Sequence, residues 1–111
     1  MDMRLKTFAD EASARLNFLR EDLGCVGPTV EHSGDAYPAV VRVQYRRNDL
    51  AVEVFLVLTY SGEEYVATRL SLGGSAPEEQ EIGSHTAHTG YAMRRALDLQ
   101  ADALRDVLRD V

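Results

Sequence analysis

The sequence predicts an α+β domain of helix-strand-strand-strand-helix order, and three observations predict it. An apolar stripe with helical spacing occupies the first part of the chain, three runs with alternating apolar residues fill the middle, and a second helical stripe follows them.

The first stripe runs through Leu5, Phe8, Ala12, Leu16, Leu19 and Leu23, three or four residues apart, so a helix is expected from about Arg4 to Leu23 with one buried side. Gly24 supplies a left-handed stop and Gly27-Pro28 prevents the helix from resuming. The punctuation from Cys25 to Pro38 reads as loop, with room for a short edge strand around Thr29 to Glu31 that would raise the sheet from three strands to four.

In AVVRVQYRR, Val41, Val43 and Tyr45 alternate with Arg42, Gln44 and Arg46. Asn48-Asp49 is turn chemistry, and the next strand places Leu50, Val52, Val54, Leu56, Leu58 and Tyr60 on one face. Ser61-Gly62-Glu63 turns the chain into EYVATRLSL, where Val66, Leu70 and Leu72 share a face. Consecutive strands joined by tight turns give an antiparallel meander with the AVEVFLVLTY strand in the middle.

Gly73 to Gly90 is polar, carries Glu78, Glu79 and Glu81, and reads as a long mobile loop. Met93, Leu97, Leu104, Leu108 and Val111 then form the stripe of a second helix, whose remaining positions carry opposite charges three or four apart. Two amphipathic helices need one apolar surface, and the Val41/Val54/Leu70 side of the sheet is the only one large enough, so both are expected there. The 111 residues suit a single domain spanning 1–111.

Composition narrows the function classes. At 45% hydrophobic and 27% charged residues the chain is globular rather than disordered. Twelve basic residues against eighteen acidic ones give a net charge of −6, which disfavours nucleic acid, whose binders gain affinity by neutralising phosphates. Protein partners, basic ones above all, suit this balance. Cys25 is the only cysteine, so no internal disulfide forms. The opening MDMRLKTFADEASARL has no signal-peptide pattern, and AVEVFLVLTY is too short and too charged for a bilayer span, so cytoplasmic residence and no membrane contact are expected. Eleven of the twelve basic residues are arginine and Ile82 is the sole isoleucine, the usage of a GC-rich bacterial or phage genome.

The other side of the sheet carries the candidate site. Phe55 and Val57 point there from the central strand, with Arg42 and Arg46 on one neighbour and Tyr65 and Arg69 on the other. An apolar centre rimmed by Arg and Tyr has the composition of a protein interface. Three coverings for this face stay open: water, a second copy of the chain, or a partner protein. Arginine amid aromatics also has the look of an RNA-binding sheet, but only Phe55 and Tyr65 are present and the Gly-Phe-Gly-Phe run of such sheets is missing.

His85 and His88 in GSHTAHTGY stand three apart, close enough to share a metal on a helix, with Glu78, Glu79 and Glu81 as further oxygen donors. A small metal-dependent or ligand-binding enzyme centred on these two histidines is therefore the alternative to an interaction protein. Against it, a metal site needs three or four ligands on rigid elements, and Ser84, Thr86 or Thr89 makes the segment read as a helix N-cap region. No GxSxG, P-loop or GxGxxG occurs, so neither a catalytic residue nor a cofactor is expected.

The segments LNFLREDLGCVGPTVE, VVRVQYRRNDLAVEVFLVL and EYVATRLSL together resemble a group of short bacterial helix-strand-strand-strand-helix proteins of immunity-protein or inhibitor type. The resemblance rests on structural punctuation, and the Gly73–Gly90 segment departs from it. It implies a non-enzymatic, stoichiometric binder of another protein, a basic toxin or nuclease, through the open sheet face or the acidic 73–90 segment. A homodimeric accessory protein is the remaining alternative.

Overall fold

The computed structural model describes residues 2–33, 38–59, 61–73 and 78–109. Its elements in chain order are α1 (Met3–Glu21), β1 (Val26–Ser33), β2 (Ala39–Arg47), β3 (Leu50–Leu58), β4 (Glu64–Leu72), β5 (Glu78–Thr86) and α2 (Gly90–Leu108). The strands form one antiparallel meander in the order β1-β2-β3-β4-β5.

Asp2 caps α1 by accepting from the Arg4 N–H at 2.8 Å, and the helix buries Leu5, Phe8, Ala12, Leu16 and Leu19. Gly24, at φ +70°, turns the chain so that the Cys25 N–H reaches back to the Leu19 carbonyl at 2.9 Å. Asn48 takes φ +49° in the two-residue β2–β3 turn, and Gly62 takes φ +84° between β3 and β4. Thr89, one of three candidates, is the cap of α2, accepting from the Ala92 N–H at 3.0 Å, whereas Ser84 and Thr86 belong to β5.

A single core gathers the apolar stripes of both helices and the expected sheet face, including Val41, Val43, Tyr45, Val52, Val54, Leu56, Val66 and Leu70. Both helices therefore lie on the same side. The first packs chiefly on β2, the second on β5 and β4, and they run against each other. The Arg15 Nε donates to Asp98 Oδ1 at 2.6 Å, and Arg94 faces Glu11 at 3.8 Å, tying the helix pair along its outer seam.

The strand count corrects the sequence reading, since the sheet has five strands rather than three or four. Residues expected as an optional short edge strand extend into the eight-residue β1, and Glu78–Thr86 of the expected 73–90 loop form β5. Both are edge strands. β1 is exposed along nearly its whole length because α1 only brushes it and α2 packs elsewhere: Val30 points toward the helix layer yet is 48% exposed. In β5 a bulge opposite Thr68/Arg69 skips Ile82 and breaks the two-residue period by which a strand is recognised. AVEVFLVLTY stays central, now third of five. Tyr60, Val111 and residues 34–37 and 74–77, parts of the expected core and loops, lie outside the described residues.

Among the described residues three polar side chains are buried, Arg4, Thr68 and Gln100. Gln100, 1% exposed, projects from α2 onto β4 and β5, where its Nε2 donates to the Val66 carbonyl at 2.8 Å and meets His85 Nδ1 at 2.9 Å. Its Oε1 accepts from the Thr68 hydroxyl at 2.7 Å, so both the nitrogen and the oxygen of the amide have partners on the sheet. Gly83 permits the approach, because a Cβ there would stand 3.0 Å from Gln100 Cγ.

Candidate functional site

The sheet face away from the helices is built by the pairing register. Reading across from β2 to β5, one row runs Val40, Val57, Tyr65, Thr86 and the next Arg42, Phe55, Ala67, Ser84. A third runs Gln44, Glu53, Arg69, Glu81 and the last Arg46, Ala51, Ser71, Glu79. All six residues expected at the site, Arg42, Arg46, Phe55, Val57, Tyr65 and Arg69, fall within these four rows on one face.

Phe55 is not the exposed centre that the sequence suggested. It is only 7% exposed, although no helix covers it. The Arg69 guanidinium lies over its ring at 5.0 Å from the centroid, and Tyr65 stands edge-on with the ring centres 6.4 Å apart. Two long side chains of the adjacent β4 thus fold over the aromatic ring within the chain itself. Val57 remains half-buried beside it.

Charges on this face fall into two sets. Arg42 is engaged, with Nε 3.3 Å from Glu53 and a terminal nitrogen 3.4 Å from Glu31. Its Nε is buried without a hydrogen bond, because the Glu53 contact lacks the alignment of one. Arg46, Glu79 and Glu81 have no ion pair or hydrogen bond with another described side chain, and Arg69 has only its contact with Phe55. The small side chains of Ala51 and Ser71 floor a depression of about 170 Å³, walled by Arg46, Glu53, Arg69 and Glu79. Across the strands the signs alternate, with Arg46 on β2, Glu53 on β3, Arg69 on β4 and Glu79 on β5.

The two histidines are held by different partners. His85 meets Gln100 on the helix side of the sheet, whereas His88 Nδ1 meets Glu64 Oε1 at 2.9 Å. Among the described residues no group of three or more His, Cys, Asp and Glu side chains is placed to hold a metal ion. Glu64 does orient His88 as a carboxylate orients a catalytic base. Its other oxygen accepts from Arg4 at 2.9 Å, and Arg4, 8% exposed, also donates to both Asp2 oxygens and to the Ala87 carbonyl. This chain of contacts locks the start of α1 to the start of β4 and the approach to α2, a structural task that accounts for Glu64.

Cys25 is buried, and burial pushes its thiol up despite the nearby Arg47, which works against its acting as a nucleophile. The sequence reading assigns no role to Gln100 and places Arg4 only as the start of the first helix. Gln100 had a signal in its place on the apolar stripe between Leu97 and Leu104, while nothing local marks Arg4 for burial. Among the described residues no helix is long and apolar enough to cross a membrane. Comparison with protein-family models, with curated proteins and with solved structures finds no match.

Proposed function

We propose that this chain is a non-enzymatic, cytoplasmic protein-binding module, of the immunity or inhibitor kind, and that the helix-free sheet face is its contact surface. The observation that carries this reading is the set Arg46, Glu79 and Glu81, which make no ion pair or hydrogen bond with another described side chain, and Arg69, whose contact is with the Phe55 ring, held on strands beside the Phe55–Ala67 and Val57–Tyr65 pairs. Side chains fixed by a β-ladder lose little freedom on binding, and charges without internal partners are available to a second surface. A basic partner is favoured by the net charge of −6 and by the acidic β5 margin.

The test is site-specific photo-crosslinking in cells that express the chain. A photoreactive residue at Ser84, exposed on the sheet face, is compared with one at Asp102, exposed on α2. Adducts of defined mass from Ser84 and none from Asp102 are expected. Equal labelling from the two positions rules the face out as the contact surface.

A further inference from the structure

We propose that the occupant of the sheet face is a second copy of this chain, packed face to face about a two-fold axis that runs along the strands between β3 and β4. The inference rests on the reading of this face as a contact surface and puts a second copy in place of a basic foreign partner, because the face itself carries three arginines against three glutamates and does not share the net charge of the whole chain.

The register itself supports the axis. Rotation about that line exchanges β3 with β4 and β2 with β5 while keeping every row in place. Arg46 then meets Glu79 of the other copy, and Arg69 meets Glu53, each pair occurring twice. Phe55 meets Ala67 and Val57 meets Tyr65, so the apolar half of the face covers itself. No two like charges face each other. The alternative axis in the same plane, across the strands, exchanges rows instead: it sets Phe55 over Glu53 and Ala67 over Arg69, and matches no charges. An isologous interface requires a self-complementary patch, and only the first rotation makes this face one.

Size agrees with the pairing. The four strands that the axis exchanges, about 4.8 Å apart, and their four rows about 6.8 Å apart give a projected face of roughly 500 Å², beyond which β1 overhangs. Side-chain relief raises the accessible area toward the about 800 Å² that each partner of a standard interface buries. Aligned sheets rotate by about 30°, and the reach of Arg and Glu side chains absorbs the resulting offset at the corners. The depression over Ala51 and Ser71 faces its own copy, and the Arg46 and Glu79 chains enter it from both sides.

Sedimentation velocity across a wide concentration range, on the wild type and three variants, decides the matter. Arg46→Glu and Glu79→Arg each set like charges against one another and are expected to weaken the dimer at least about tenfold. The combined Arg46→Glu, Glu79→Arg chain restores the pair with its sign reversed and is expected to return within about threefold of the wild type. Thermal melting serves as the control for folding, since both side chains are free within one chain. A wild type that stays monomeric, single variants that dimerise normally, or a combined variant that fails to recover each overturn the proposal. A monomer whose Ser84 photo-crosslinks to a different protein ends the dimer but keeps the contact-surface reading, whereas a dimer with a silent Ser84 ends both.

Discussion

Replacing Gln100 by leucine removes a buried side-chain amide from the core at nearly constant volume. The Thr68 hydroxyl, 1% exposed, loses its acceptor and the Val66 carbonyl loses a donor, while His85, being exposed, can turn to water. Each buried group left without a partner costs about 1–3 kcal/mol, and the added apolar contact of leucine returns about 1 kcal/mol. The net loss expected is about 2–4 kcal/mol, which for a chain of this size lowers Tm by roughly 8–16 °C. Urea denaturation followed by circular dichroism measures it. The sharper assay is a cycle with Thr68→Val: that change alone orphans the Gln100 oxygen and costs about 1–2 kcal/mol, but in the leucine background it removes an orphan and recovers stability. Strict additivity of the two changes would refute the network, as would a loss below about 0.5 kcal/mol for Gln100→Leu.

Arg4→Met leaves Asp2, Glu64 and the Ala87 carbonyl without their shared donor and is expected to cost about 3–5 kcal/mol in urea denaturation, far beyond an exposed control such as Arg109→Met. Burial pushes the Tyr45 phenol up, with Ser13 and Arg20 only partly offsetting it; Ser13 lies close but outside hydrogen-bond geometry, and the hydroxyl is unsatisfied. Above pH about 10 the unfolded chain gives up that proton while the folded chain keeps it, so stability falls as pH rises further. Tyr45→Phe is expected to flatten this alkaline decline and to leave stability at pH 7 within about 1 kcal/mol of the wild type or above it, as read by melts across pH. Gly27→Ala places a Cβ 2.7 Å from the Gln44 carbonyl oxygen at φ +135°, whereas Gly24→Ala, at φ +70°, meets nothing within 4 Å. The first is expected to cost more than about 2 kcal/mol and the second about 1 kcal/mol, and equal losses would contradict the close approach of β1 to β2.

The alternation in β2, β3 and β4 and the two helical stripes were legible because each residue in them reports its own burial: the solvent on one side and the core on the other select different side chains at every step. That periodicity fixed the central strand, the turn at Asn48-Asp49, the common side of the helices and the membership of the opposite face. The edge strands left no such record. β1 is wet on both sides and contains Pro28, and β5 is acidic and bulged, so the residues of each satisfy the backbone pairing of one neighbour without any pattern that announces it.

Relations between distant residues were beyond local reading altogether. Alternation alone turns Phe55 away from the helices, because a strand has two sides and Val54 and Leu56 occupy the other. It takes the packed chain to bring Arg69 and Tyr65 over it, to bury Arg4 between Asp2 and Glu64, and to give His85 and His88 different partners. Each of these is a choice made by side chains that meet across the ladder or between layers, and the periodicity of a single segment contains no information about which cation reaches which ring or carboxylate.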